Sequence, residues 1–453
     1  MSAMEVHEWA PVPRPPEALL ASLPAGGRAL LESAGGPADL RRWSVVAAEP
    51  VARLVAWGER VVWWEAGRGW RRRRGDPLAL LAAEVTARAA GAHPAVPLLG
   101  GGAIVAFGYD LGRRFERLPA RAVDPQRWPD VDALLYDTVA VVDHAAECLR
   151  VAGPRARAWL ARWRAATLPP PPSPPSPPGP VRRGFDRAGY EAAVRRVLAY
   201  IAAGDVFQVN LSQRFAVPAR EPAWALYRRL RVRSPAPFAA YLELAAGALV
   251  AASPERFLAR CGDRVETRPI KGTRPRGTTP AEDAAASAAL WASAKDEAEL
   301  RMIVDVARND LGRVAQVGTV RVPELRRLEA HATVFHTVAR VEARLRPGVG
   351  LPELLAATFP GASVTGAPKI RAMEILDELE PVRRGPYCGA FGYLDAAGRL
   401  DLAMAIRILW VRRGWVHWQV GGGVVADSDP AAEYEETLAK GRALAAALGV
   451  EVR

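Results

Sequence analysis

Lysine is scarce in this 453-residue chain: of 61 basic side chains four are Lys, namely Lys271, Lys295, Lys369 and Lys440, leaving 57 Arg. Arg replaces Lys wherever surface charge suffices, but a guanidinium cannot be deprotonated to act as a nucleophile, whereas an amine can. Each remaining Lys is therefore a candidate for work that Arg cannot do. Cysteine is scarce too: Cys148, Cys261 and Cys388 are scattered, which excludes a disulfide framework and a CxxC metal site. No run of about 18 apolar residues without charge occurs, so no membrane span is expected. The first residues, Met1 to Trp9, lack the basic start and apolar stretch of a signal peptide. The expectation is a soluble, cytoplasmic, globular protein.

What is plentiful is positive charge. A net charge of +12 raises nucleic-acid binding as a reading. Its placement argues against it. The one dense cluster, Arg71 to Arg74, follows a Trp-rich segment and stops at Gly75-Asp-Pro77, which reads as a hairpin end, and no nucleic-acid-binding motif accompanies it. An anionic small substrate accounts for part of the charge more simply.

A Pro/Ser run from Leu168 to Pro180 reads as an extended linker. It divides the sequence into an N-terminal region (1–167), a linker (168–182) and a larger C-terminal region (183–453). Before it, the stretches Val45 to Ala56 and Val61 to Trp64 alternate like strands. After it, Asp186 to Ala203 predicts an amphipathic helix with Tyr190, Val194, Val197, Leu198 and Ile201 on one face, stopped by Gly204. Further strands are expected at Val206 to Phe215, Leu249 to Ala252, Val265 to Ile270, Gly389 to Leu394, Leu402 to Leu409 and Val416 to Val420. Helices are expected at Asp283 to Asp305, Pro352 to Ala357, Pro368 to Leu379 and Pro430 to Leu448. Turns at Asp395 to Gly398 and at Arg413-Gly414 join neighbouring strands, which favours antiparallel sheets. The class is α+β, with packed antiparallel sheets and helices outside.

Several polar groups sit where chemistry is possible. Glu433, Glu436 and Lys440 are three and four apart, so they share one helix face, as do Asp296 and Glu299 on another helix. Two carboxylate pairs on different helices suit a divalent cation, Mg²⁺ being the default beside an anionic substrate. Alone, each pair is equally a solvated face with ion pairs. Gly421-Gly422-Gly423 leaves backbone N–H groups open to a carboxylate. Glu255 ends one apparent strand and Lys271 ends the next at a Gly turn. An antiparallel return would bring them together as an acid and an amine nucleophile; the plain alternative is a surface salt bridge. Gln208, His336 and Arg407 each interrupt an apolar run, and an Arg in so apolar a strand needs an anion or a carboxylate partner. Together these residues describe a polar pocket for a carboxylated ligand.

These residues lie in long motifs: Ser253-Pro-Glu255, Pro269-Ile-Lys-Gly-Thr273, Ile303 to Arg313, Phe359 to Glu374, Arg384-Gly-Pro-Tyr387 and Gly421 to Ser428. With Leu30-Leu-Glu-Ser33 and Phe107 to Glu116 in the N-terminal half, the chain resembles component I of the chorismate-using synthases over nearly its whole length. The resemblance implies two packed antiparallel sheets surrounded by helices, in which the linker joins parts of one intertwined unit. It also implies chorismate bound through Mg²⁺. Glu299 and Glu436 match the metal ligands, with Asp296 and Glu433 as outer partners. Tyr387, Arg407, Lys440 and the backbone of Gly421, Gly422 and Gly423 match the groups that hold the substrate's carboxylates. Thr273, His336 and Ser363 match pocket residues.

Two positions bear on which reaction the resemblance implies. Relatives that add water to chorismate place a Lys base where Gln208 stands, so Gln208 favours ammonia as nucleophile. Anthranilate-forming relatives read Pro-Ile-Ala-Gly where this chain has Lys271, so Lys271 favours formation of 4-amino-4-deoxychorismate for 4-aminobenzoate and folate; anthranilate formation is the alternative. By the same resemblance Lys271 attacks C2 of chorismate and Glu255 protonates the departing C4 hydroxyl. No Gly-x-Cys-x-Gly glutaminase elbow occurs, so a glutamine amidotransferase subunit is the expected ammonia source. Glu32 and Ser33 with Pro235 and Phe238 resemble the family's tryptophan pocket.

Overall fold

The computed structural model describes residues 6–10, 14–88, 93, 95–177 and 179–451; residues 1–5, used above to argue against a signal peptide, and residue 178 of the Pro/Ser run lie outside them. Among the described residues the strands form two antiparallel twelve-stranded sheets. The first runs from Val6–Trp9 through Ala29–Glu32, Phe238–Glu243, Ala248–Ser253, Ile408–Arg412 and Trp415–Val424 to Gln208–Pro218. The second runs from Ile270–Pro275 and Val334–Arg344 through Arg256–Cys261, Leu400–Met404, Ala390–Asp395 and Gly102–Phe107 to the edge strand Gly69–Arg74. One core takes residues from both sheets, including Val45, Leu242 and Trp410 from the first and Leu54, Ile104 and Leu402 from the second. Burying such side chains contributes roughly 1.5–3 kcal/mol each, which is what holds two large sheets together.

Strands from either side of the Pro/Ser run interleave. Ala29–Glu32 pairs with Phe238–Glu243, and Gly102–Phe107 pairs with Ala390–Asp395. The described residues of the run carry no regular structure and lie along the Ala223–Arg233 helix, where Arg229 donates to the Ser173 carbonyl at 3.2 Å. Helices cover the outer face of the first sheet: Leu19, Trp159, Trp163, Leu226 and Leu444 pack in one cluster with Phe215, Trp418 and Val420. Arg71 to Arg74 form the edge strand, where charge discourages further strand pairing. Arg71 and Arg73 are already paired with Glu65 and Glu84, and Arg73 stacks on Trp63, so half the basic cluster has internal partners.

Four predicted elements need correction. The Val45 to Ala56 stretch is two strands in different sheets, Trp43–Ala47 and Ala52–Trp57. The Asp283 to Asp305 helix is two, Pro280–Ala292 and Ala294–Gly312, because Ser293 leaves the helical region to accept the Asp296 N–H as an N-cap. The Leu402 to Leu409 strand breaks at 405–407, where the chain crosses from the second sheet to the first and Arg407 takes a left-handed φ of 53°. The Val265 to Ile270 strand is two, Arg264–Thr267 and Ile270–Pro275, and Lys271 does not end a strand at a turn: the second continues past it through a bulge at Gly272. Gly272 has φ 77°, and a Cβ there would meet Asp296, Leu290 and Thr337 at 3.0 Å, so the bulge needs Gly.

Candidate active site

The site lies where the strands Gln208–Pro218, Ile270–Pro275 and Trp415–Val424 meet the helices Ala294–Gly312 and Pro430–Ala447. The Gly421 to Gly423 run of Trp415–Val424 pairs with Asn210 to Ser212 of Gln208–Pro218. A Cβ on Gly423 would sit 2.3 Å from Gln208 Nε2 and 3.3 Å from Lys271 Nζ; one on Gly422 would sit 2.7 Å from Glu433 Oε2 and 3.6 Å from Glu436 Oε1. The glycines are thus where Gln208, Lys271, Glu433 and Glu436 meet, and side chains there would fill the space between them.

Lys271 and Glu255 form the chemical centre. The buried Glu255 carboxyl accepts from Ser363 Oγ and from the Ile270 N–H, which places it against the strand that carries Lys271. Burial pushes Glu255 up to about 7, against the opposing pull of Ser363 and Lys271. Burial also lowers Lys271 from the ordinary amine range, Lys440 adds to that, and Glu299, Glu255 and Glu436 oppose it. A carboxyl that titrates near neutrality beside an amine that burial makes easier to deprotonate has the makings of an acid and nucleophile pair.

His336 lies on the neighbouring strand with Nδ1 2.9 Å from Thr273 Oγ1, and burial drives it well below its ordinary value, so it is neutral. Gln208 Nε2 donates to Glu299 Oε2 at 3.3 Å. Tyr387 is buried with Arg384 over its ring at 5.8 Å. Arg407 faces Tyr387 electrostatically, and among the described residues it has no carboxylate partner. The continuous apolar strand expected around Arg407 is not present, and the partner expected for it is not a protein carboxylate among the described residues.

The carboxylates are unequally placed. Burial raises Glu299 and Glu433, and Glu436 raises both further. Glu433 accepts from Ser428 Oγ at 2.6 Å through one oxygen, while its other oxygen is buried without a partner. Lys440, expected to reach a substrate carboxylate, instead bridges Glu436 at 2.6 Å and the Gly421 carbonyl at 3.1 Å, and it lowers Glu436. Asp296 is ion-paired with Arg274 at 2.9 Å. Among the described residues no three His, Cys, Asp or Glu side chains gather closely enough to cage a metal ion. The donor set suits Mg²⁺ none the less, since that ion takes one or two protein carboxylates and fills its octahedron with water and substrate oxygens. Glu299 and Glu436 repel each other, and Glu433 has an orphaned oxygen beside them; a cation would relieve both.

Sequence reasoning missed the bond from Ser363 to Glu255, the Arg274 partner of Asp296, and a part-buried pair between Lys369 and Asp310. A small cavity lies against Glu255 and Ser363, lined also by Phe257, Thr267, Asp310 and Thr358. At the other candidate pocket, Glu32 and Ser33 lie alongside 235–239. The Glu32 carboxylate is already matched there by Arg231 at 2.6 and 2.7 Å and by Tyr227 at 2.6 Å. Ser33 Oγ lies 2.9 Å from the Leu40 carbonyl, Arg256 stacks over Phe238, and the Pro235 carbonyl crowds Gly35.

The family model for chorismate binding enzymes matches residues 27–446. The chain belongs to the chorismate binding enzyme family. Among curated members, "Aminodeoxychorismate synthase component 1" of Klebsiella aerogenes is 43% identical over 405 residues, covering 88% of each chain. "Anthranilate synthase component 1" of Thermus thermophilus is 45% identical over 361 residues, covering 78% of each. Among solved structures of the family, anthranilate synthase component I from Streptococcus pneumoniae superposes with a TM-score of 0.79 at 30% identity, covering 89% of this chain and 92% of that one. The α+β class with two packed antiparallel sheets agrees with that family fold.

Proposed function

We propose that the chain is component 1 of an aminodeoxychorismate synthase, converting chorismate and ammonia to 4-amino-4-deoxychorismate for 4-aminobenzoate and folate. The observation that carries this reading is the desolvated Lys271 amine beside the Glu255 carboxyl with its pKa of about 7. The relatives carrying that name also align over more of the chain than the anthranilate synthase of Thermus thermophilus does.

Arg407, the Tyr387 hydroxyl and the N–H groups of the glycine run hold the carboxylates of chorismate, with Lys440 adding positive charge. Glu299 and Glu436 are the residues that would hold Mg²⁺, which supplies charge to neutralise a substrate carboxylate; Glu433 and Asp296 orient around them. The neutral Lys271 amine attacks C2, the ring double bonds shift, and the C4–O bond breaks as Glu255 gives its proton to the departing hydroxyl, releasing water. Ammonia then attacks C4, the double bonds shift back, and the C2–N bond to Lys271 breaks. The proton shed by the new amine returns to Glu255, so one turnover exchanges hydroxyl for amine. Gln208 lacks a base's lone pair of suitable strength, so water is not activated at C2. The neutral His336 and Thr273 line the ring's pocket. A glutamine amidotransferase subunit supplies ammonia in the cytoplasm. Tryptophan binding at Glu32 and Ser33 would compete with the internal Arg231 pairing of Glu32.

Anthranilate formation is the second reading, favoured by the higher identity over a shorter stretch to the Thermus thermophilus relative. Product identification from chorismate, Mg²⁺ and ammonium separates the two. Aminodeoxychorismate that retains its enolpyruvyl group supports the proposal; fluorescent anthranilate with pyruvate release overturns it.

A further inference from the structure

Lys369 is a second part-buried amine, and the reaction above gives it nothing to do. It opens the helix Lys369–Leu379. Its Nζ donates to Asp310 Oδ2 at 2.5 Å, near the end of Ala294–Gly312, and to the Thr358 carbonyl at 3.2 Å, the last residue of Leu351–Thr358. The chain from Thr358 to Lys369 thus returns on itself, and one ammonium closes the loop while tying it to a third helix.

That loop carries three contacts of the site. Ser363 Oγ donates to the Glu255 carboxyl, Gly366–Ala367 pairs with Gln208 and Val209, and the Thr365 carbonyl accepts the Asn210 N–H at 2.8 Å. The cavity against Glu255 is walled by Asp310 and Thr358 together with Ser363, so the clasp and the acid border the same space.

We propose that Lys369 is a positioning residue: its clasp on Asp310 and Thr358 fixes the 359–368 loop so that Ser363 holds the Glu255 carboxyl and Gly366–Ala367 holds the Gln208 strand. A single Nζ reaches two acceptors in a closed setting, where the wide planar fork of Arg, with five N–H donors, would leave donors unsatisfied. That accounts for a Lys at this position in a chain that otherwise uses Arg. The groups around Glu255 are the Ser363 hydroxyl, the Ile270 N–H, the Lys271 amine, the Cys388 thiol and, across the cavity, Asp310. Of these only Ser363 rides on the loop that Lys369 closes. Its hydrogen bond holds Glu255 down against burial, so loosening the loop moves the Glu255 titration upward.

The kinetic part of this inference rests on the reading of Glu255 as the acid, so two readouts are used on the full chain. One is kcat against pH with chorismate and ammonium. The other is the Glu255 carboxyl titration, read without substrate by infrared difference against E255Q. The variants are K369M, K369M/D310N, which removes the stranded charge, K369R and S363A. We expect kcat in K369M/D310N to fall at least about tenfold, with KM for chorismate within about threefold. The alkaline limb and the infrared midpoint should both rise by roughly half a pH unit or more. K369R should resemble K369M rather than wild type. Adding K369M/D310N to S363A should move the midpoint no further, the non-additivity of a shared path. A folded K369M/D310N protein with an unshifted midpoint overturns the proposal, whether its activity is kept or lost. A shifted midpoint in a protein whose wild type makes no product from chorismate would sustain the clasp and defeat the functional reading alone.

Discussion

Glu255→Gln separates activity from stability. Gln keeps the shape and one acceptor oxygen, but it has no acidic proton to give to the C4 hydroxyl. General acid catalysis contributes roughly 10²–10⁴-fold, so kcat should drop by that factor. The same substitution should stabilise the fold at alkaline pH. Glu255 is raised from 4.5 to about 7 in the folded protein, so the folded state binds its proton more tightly than the unfolded state does. The sign follows: the stability this group contributes is full below pH 4.5 and is lost as pH rises through about 7. A shift of that size corresponds to about 3 kcal/mol, of which roughly 2–3 kcal/mol develops between pH 5 and 8. Urea unfolding of both proteins at pH 5, 6, 7 and 8 reads the difference as a gap in midpoint that widens with pH, in favour of E255Q. Wild-type kcat should fall about tenfold per pH unit well above 7, because only the protonated carboxyl acts. A gap that stays constant across this range, or wild-type activity still rising at pH 8.5, would refute the reasoning.

K271R keeps a long basic side chain but one that cannot be deprotonated to act as nucleophile, so turnover with ammonium should fall at least about 10³-fold while chorismate still binds; calorimetry and product assay together check this. Gly423→Ala places a Cβ 2.3 Å from Gln208 Nε2 and 3.3 Å from Lys271 Nζ, so KM for chorismate should rise and kcat fall with little change in urea midpoint. Arg407→Met removes an Arg with no carboxylate partner among the described residues and should raise KM about 10–100-fold, the worth of a charged hydrogen bond, while leaving stability unchanged or slightly improved. Chelation with EDTA should abolish activity restorable by Mg²⁺, and E299Q/E436Q should weaken Mg²⁺ binding in titration calorimetry; activity indifferent to EDTA would remove the metal from the account.

Much of the site was readable in the sequence because its residues break local rules: a Lys kept among Arg, a Gln and an Arg inside apolar runs, three adjacent glycines. An antiparallel return is the expected route from Glu255 to Lys271; instead the Lys271 strand is bulged and pairs with Val334–Arg344, and Glu255 reaches it through the Ile270 N–H, within electrostatic range of the amine. The misreadings share a physical cause. Ser293 has a helix-compatible neighbourhood, and only the direction of the next helix makes it a cap. Ile406 and Arg407 continue an apolar pattern, yet the chain changes sheet there, which no local periodicity records. The partners of Asp296 and Lys369 were invisible for a similar reason. They depend on which helix end meets which loop, and Arg274 or Asp310 differs in sequence from no surface charge.

The central claim is that Lys271 bonds to C2 of chorismate while Glu255 releases the C4 hydroxyl as water. Intact and peptide mass spectrometry of the protein mixed with chorismate and Mg²⁺ in the absence of ammonia tests it most directly. An adduct of chorismate less one water is expected on the peptide bearing Lys271, discharged as aminodeoxychorismate when ammonium is added and absent in K271R. No adduct on Lys271, with K271R still forming product at a rate near wild type, would contradict it.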